Sequence, residues 1–165
     1  PEPKIPQDGA RLMGLDDPTV KMSKSLAYTR GHAVRLLDEP KEILRSFKKA
    51  VTDSGNEIRF SDDPEKAGVN NLLGIYKAVT GKSNDEVEAD FANARGYGDL
   101  KKGVAEVVID FLAPMQERYK ALMDDPAELD RILAQGAEQA AAVSMPKLRQ
   151  MKEMMGLVLP VIGDQ

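Results

Sequence analysis

This sequence predicts a mainly α-helical protein. Apolar residues recur at spacings of three and four over long stretches, as in Leu100, Val104, Val107, Val108, Phe111, Leu112, Met115, Tyr119 and Leu122. Such spacing lays one apolar stripe along a helix. Helix punctuation falls where the stripes begin and end. Prolines occupy first-turn positions, Ser83-Asn84-Asp85-Glu86 forms a capping-box pattern, and glycines follow the last apolar residues.

In chain order, Pro1, Pro3 and Pro6 make the first residues extended or irregular. Ala10 to Leu15 suits a short buried strand, and residues 16–31 read as a loop punctuated by Pro18 and Gly31. Pro40 fits the first turn of a helix, with Asp38 or Glu39 ahead of it and Ile43, Leu44, Phe47 and Val51 on one face. Gly55-Asn56 marks a turn, and Ile58-Arg59-Phe60 suits a short extended piece. Val69, Leu72, Leu73, Tyr76 and Val79 form a second stripe, ended by Gly81. The capping box then opens a helix carrying Val87 and Phe91, which stops before Gly96.

The longest helix is expected from Asp99 to Met123, kinked at Pro114, where a donor is lost and the ring clashes one turn back. Asp125-Pro126 starts the next helix, with Leu129, Ile132 and Leu133 inward and Gly136 as a weak point or break. Pro146 is expected to set the first turn of a last helix with the stripe Leu148, Met151 and Met155, stopped by Gly156. That Met-rich stripe reads as core packing and not as a metal or cofactor site.

Composition narrows the class. The chain has 165 residues, 42% hydrophobic and 30% charged, which is ordinary for a globular protein of one compact domain. No run of about 18 apolar residues suggests a membrane span, and no basic, apolar leader opens the sequence. With no cysteine, the chain has neither disulfides nor thiolate metal sites. A cytoplasmic location is expected. The net charge of -4 is unevenly spread. Residues 21–49 hold eight Lys/Arg against three acids, whereas residues 53–99 hold five against ten. The first stretch is therefore the better candidate for a phosphate surface.

Within it lies the chemistry-bearing motif, Lys21-Met22-Ser23-Lys24-Ser25, introduced by Asp16-Asp17-Pro18-Thr19. Two ammonium groups and two hydroxyls on one loop can grip a triphosphate. Positioned cations stabilise the charge that builds on a departing pyrophosphate more than they stabilise the ground state. His32, the one histidine, reads as a surface residue and not a catalytic base. There is no zinc pattern and no carboxylate pair placed for general acid–base work.

The pentapeptide resembles the KMSKS signature of class I aminoacyl-tRNA synthetases. The neighbouring blocks Gly9-Ala10-Arg11-Leu12-Met13, Ala50-Val51-Thr52-Asp53-Ser54, Asn71-Leu72-Leu73, Gly96-Tyr97-Gly98 and Glu117-Arg118-Tyr119 narrow the match. Together they resemble the C-terminal half of the bacterial-type tryptophanyl-tRNA synthetase family, from Gly9 to Gly156.

The resemblance implies a division of labour. Residues 1–31 would be the end of a Rossmann-type α/β catalytic domain, its last strand and KMSKS loop. Residues 32–165 would be a helical anticodon-binding bundle. Lys21 and Lys24 would bind the phosphates of ATP, brought in with Mg2+, and Lys24 would follow the pyrophosphate into the transition state. Ser23 and Ser25 would donate to phosphate or fix the loop, Met22 would touch adenine, and the Leu12 backbone would lie beside it. Arg118, Lys147, Arg149 and Lys152 are candidate contacts to tRNA, and no resident metal site is expected.

Two departures from the family pattern stand out. Leu26 follows the motif where an acidic residue is common, and Gly14 stands where Ser is usual. The family's other signature, HIGH, has no counterpart here, nor does the amino-acid pocket. The chain thus looks like a fragment, or the second of two pieces, of an enzyme whose family is usually homodimeric, with tryptophan bound in the missing half, and alone it is expected not to make adenylate. The alternatives are a tyrosyl-tRNA synthetase and a non-catalytic RNA-binding helical module.

Overall fold

A computed structural model describes residues 2–4, 9–29 and 31–157. Pro1, Pro6 and Arg30 of the sequence reading lie outside these residues. The described residues hold α1 (Pro40–Lys48), α2 (Ala67–Thr80), α3 (Asn84–Asp90), α4 (Tyr97–Asp124) and α5 (Pro126–Met154). Two short 3₁₀ turns, Lys24–Leu26 and Pro64–Lys66, complete the regular structure. The protein is mainly helical, as its sequence predicts. It falls into two compact units, Pro1–Gln116 and Glu117–Gln165.

The first unit has one core. Ile43 and Phe47 of α1, Val69, Leu72, Leu73 and Ile75 of α2, Val87 of α3 and Leu100, Val104, Ala105, Val108 and Leu112 of α4 are buried together with Leu15 and Ala50. Full burial of each larger side chain is worth roughly 2 kcal/mol. That term, and not local propensity, holds a helix as short as the nine residues of α1. α1 ends before Val51, so Ala50 is the buried residue and Val51 is exposed, contrary to the expected stripe.

Local signals set the helix ends. Pro40 stands at the start of α1. Gly81 closes α2 in the left-handed conformation, φ 70°, at no Cβ penalty. The capping box forms in full, with the Ser83 hydroxyl accepting from the Glu86 N–H and the Glu86 carboxylate accepting from the Ser83 N–H. Ser83→Ala is expected to destabilise the protein by about 1 kcal/mol, read as a lower urea midpoint with unchanged slope.

The strand foreseen at Ala10–Leu15 reduces to an isolated antiparallel bridge between Met13 and Lys21. A single bridge suffices there because Asn71, not a neighbouring strand, satisfies the Met13 backbone. Ile58–Phe60 is likewise irregular, its Phe60 N–H donating to the Glu88 carboxylate.

In the second unit, α5 runs through both Gly136 and Pro146 as one helix, so neither the break nor a separate last helix is present. One isolated glycine costs only about 1 kcal/mol against Ala. A proline removes one ladder bond, which a helix of 29 residues can survive. The C-terminus is a Schellman turn at Gly156, φ 72°, with Leu157 N–H donating to Lys152 O and Gly156 N–H to Glu153 O. The expected inward stripe is overturned. α5 buries none of its residues, and Leu133, Leu148, Met151 and Met155 are all exposed. Of the residues expected inward, Leu129 and Ile132 are half-buried, so the described residues cover the start of the apolar face only in part and leave the Leu148–Met155 stretch open.

Candidate functional site

Residues 16–29 form an irregular segment, and the residues on either side of the loop are drawn together. At the neck, Leu15 N–H donates to His32 O over 2.9 Å, and Val51 N–H donates to Leu15 O over 2.7 Å. Leu15 is buried, so both bonds sit on a residue fixed in the core. The loop begins with an Asx turn. The Thr19 hydroxyl and N–H both donate to Asp17 Oδ1, at 2.6 and 2.9 Å. These bonds, the hydroxyl first, hold the Asp17 carboxyl below its ordinary value.

The chain then runs back antiparallel. Gly14 N–H donates to Val20 O and Met22 N–H to Leu12 O, at 2.8 and 3.0 Å. This places Lys21 opposite Met13, with Met22 against the core and Lys21, Lys24 and Ser25 exposed. Asn71 on α2 grips the same hairpin. Its Oδ1 accepts from Met13 N–H at 3.0 Å, and its Nδ2 donates to Met13 O at 2.9 Å.

Lys24, Ser25 and Leu26 form a single 3₁₀ turn with no buried residue. Lys21 and Lys24 are exposed and form no ion pair among the described residues. The Ser23 side chain caps nothing. Leu12 and Met22 are half-buried and pack on the core. The structure thus brings Leu12, Lys21 and Met22 together through the bridge and carries Ser23, Lys24 and Ser25 just beyond it. Two ammonium groups with no ion-pair partner among the described residues stand on an exposed loop whose neck is bonded to the core, a charge arrangement suited to an anion.

A second polar cluster secures the Ala50–Ser54 block. The Tyr97 hydroxyl donates to Asp53, 2.9 Å from Oδ1 and 2.8 Å from Oδ2, while Lys66 Nζ donates to the Tyr97 oxygen at 2.9 Å and lies 3.3 Å from Asp53 Oδ1. Burial pushes the Asp53 carboxyl up, but the Gly55 N–H, Tyr97 hydroxyl and Lys66 ammonium outweigh it and hold the group low. A depressed carboxylate stabilises the fold above the ordinary value of about 3.9 and loses that contribution as pH falls through its folded value. Stability is therefore expected to decline from about pH 4 downward. Asp53→Asn should be less stable at neutral pH and lose less on acidification, as urea titrations at several pH values would show.

His32 is not the surface residue that sequence reading suggests. It is 2% exposed, with Nδ1 2.6 Å from Asp16 Oδ1. Gly31, φ 88°, turns the chain so that the ring tucks under the neck. Asn71 and Asp16 also belong to this support. The available signals were a polar residue within the α2 stripe and small residues beside the loop.

In the second unit, Arg118, Lys147 and Arg149 are exposed and Lys152 is half-buried. Arg149 pairs with Glu153 at 3.2 Å and Lys147 Nζ donates to Gln150 at 3.1 Å. At about 100° per residue, Lys147 and Arg149 project on nearly opposite sides of α5. The helix does not gather them on one face. Among the described residues no group of three His, Asp or Glu could hold a metal, and no helix is long and apolar enough to cross a membrane.

A hairpin-borne cationic loop followed by helices is an arrangement with known relatives. The profile of the family described as tRNA synthetases class I (W and Y) matches residues 3–113, and the chain belongs to that family. It is 48% identical over 158 residues to the tryptophan–tRNA ligase of Wolinella succinogenes, covering 96% of this chain and 47% of that protein. It is 49% identical over 158 residues to that of Helicobacter pylori, with the same coverage of 96% and 47%.

Solved structures agree. Tryptophanyl-tRNA synthetase from Mycoplasma pneumoniae matches with a TM-score of 0.75 and 29% identity over 93% of this chain and 45% of that one. The Campylobacter jejuni enzyme, complexed with ADP and tryptophan, matches with a TM-score of 0.67 and 27% identity over 95% and 47%. The chain thus spans about half the length of the relatives it matches.

Proposed function

We propose that this chain supplies the ATP-binding loop and the tRNA-binding helices of an enzyme that activates tryptophan and transfers it to tRNA. The observation that carries the proposal is the pair of exposed ammonium groups, Lys21 and Lys24, without an ion-pair partner among the described residues, on a loop whose neck is bonded to the core. In the activation step the tryptophan carboxylate attacks the α-phosphate of ATP, forming the acyl phosphate bond and expelling pyrophosphate. Lys21 and Lys24 hold the β- and γ-phosphates, delivered with Mg2+, and Lys24 takes up the growing negative charge. Ser23 and Ser25 donate to phosphate oxygens. Met22 and the Leu12 backbone border the adenine. The nucleophile brings its own charge, so positioning and charge stabilisation carry most of the catalysis.

Tryptophan over tyrosine rests on the tryptophan–tRNA ligases among the relatives. The proposed functional boundary lies after residue 31, with Arg118, Lys147, Arg149 and Lys152 as candidate phosphate contacts on the helical side. A cytoplasmic homodimer is proposed on the family resemblance. The test is ATP–pyrophosphate exchange by the intact protein with tryptophan and tyrosine supplied separately. Exchange with tryptophan supports the proposal. Exchange with tyrosine alone moves it to the sister enzyme, and tRNA binding without exchange leaves an RNA-binding module.

A further inference from the structure

The mechanism above gives no part to buried His32 and its partner Asp16, yet this pair ties the ends of the loop that carries both lysines. His32 touches the neck in three ways. Its backbone oxygen accepts from Leu15 N–H at 2.9 Å. Its Nδ1 lies 2.6 Å from Asp16 Oδ1. Its ring fills the space beside Gly14, where a Cβ would stand 2.5 Å from Cε1 and 2.7 Å from Nδ1. Gly14 in turn donates to Val20, the residue before Lys21. The imidazole, carried by the segment leaving the loop, therefore packs on the Gly14 backbone and bonds Asp16 on the segment entering it.

The polar chemistry of the ring is simple. Nε2 is buried and has no hydrogen-bond partner among the described residues. An Nδ1–H tautomer donates to the carboxylate and leaves only a lone pair buried, which costs less than a buried unpaired N–H. Asp16, partly open to solvent, accepts that proton donor and also begins the turn that leads to the motif. Compact surface loops with close ends depend on the side chains packed within and beneath them, and His32 is such a side chain here.

We infer that His32 is a positioning residue for the phosphate loop. Through Asp16 and Gly14 it sets where Lys21 and Lys24 stand when pyrophosphate departs. It touches no substrate. This rests on the reading of residues 21–25 as the ATP loop.

The experiment is steady-state exchange on the intact enzyme with His32→Ala, His32→Asn, Lys24→Ala and the double variant His32→Ala/Lys24→Ala. A loosened catalytic constellation costs about 10-fold to 100-fold. The expected result is a loss of at least about 10-fold in exchange kcat for His32→Ala, with the KM for tryptophan and the affinity for tRNA unchanged. His32→Asn, which can still donate to Asp16, should recover to within about threefold of wild type. In the Lys24→Ala background the same His32→Ala change should cost less than about twofold, because the group it positions is gone.

Two results overturn the inference. One is an exchange kcat within about twofold of wild type for His32→Ala. The other is an equal loss with and without Lys24, which marks a general structural defect. Absence of exchange by the wild-type enzyme with either amino acid overturns the functional reading itself, and the inference with it.

Discussion

Lys24→Ala is expected to lower tryptophan-dependent ATP–pyrophosphate exchange by about 100-fold or more while leaving tRNA affinity nearly unchanged. The reason is the timing of the charge. A group that meets the phosphates equally before and during bond breaking lowers KM alone, whereas one that meets charge as it forms raises kcat. Lys24 is exposed and sits at the start of a 3₁₀ turn beyond the hairpin, with no carboxylate competing for it among the described residues. Its loss removes a cation without disturbing packing, so thermal stability should stay at the wild-type value. A fall in tRNA affinity with exchange intact would instead make the loop a nucleic-acid contact. Salt titration of tRNA binding gives a second check, because removing one phosphate contact lowers the slope by about 1.

Gly68→Ala is expected to destabilise the protein by about 2 kcal/mol, although alanine is the better helix former. Two opposing terms decide the sign. Within α2 the change gains about 1 kcal/mol of helix propensity. Against that, the new methyl would overlap the Val51 carbonyl oxygen and stand 3.0 Å from Val51 C and 3.2 Å from Thr52 Cα. All three are backbone atoms, which cannot rotate aside as a side chain can. Overpacking of this kind costs typically 1–3 kcal/mol, and more where the neighbour is rigid, so it wins about here.

Gly74→Ala in the same helix is the control. A Cβ there meets nothing within 4 Å, and the variant should be neutral or more stable. The clash also reaches function. Val51 N–H holds Leu15 O at the neck of the proposed phosphate loop, so Gly68→Ala should reduce exchange beyond its effect on stability. Chemical denaturation beside exchange kinetics separates the two effects. A Gly68→Ala protein as stable as Gly74→Ala would show that the Ala50–Ser54 segment yields freely.

Much of the fold was legible because its signals are local. The stripe of α2, the capping box of α3 and the proline that opens α1 each act within a few residues, and each appears where the spacing places it. The motif was legible for the same reason, as two lysines and two serines on one short loop. What failed depended on distance in sequence. The Leu148, Met151 and Met155 stripe was read as core, but an apolar face is only an offer of contact, and among the described residues α5 buries no side chain fully. The strand at Ala10–Leu15 was read from apolar character, but a strand needs a neighbour, and the hairpin provides one bridge.

By itself, then, the sequence determined that the chain is mainly helical, where most of its helices begin, and that an exposed loop carries the two lysines and two serines of a class I synthetase signature. Those properties follow from side-chain periodicity, backbone conformational preference and formal charge, all carried by neighbouring residues. Only the tertiary structure decided what holds the loop in place. Asn71 lies 58 residues from Met13, and His32 lies 16 residues from Asp16, so neither contact leaves a trace in local spacing. Buried polar groups must find partners wherever the fold brings them, and which partners those are depends on the packing of the core.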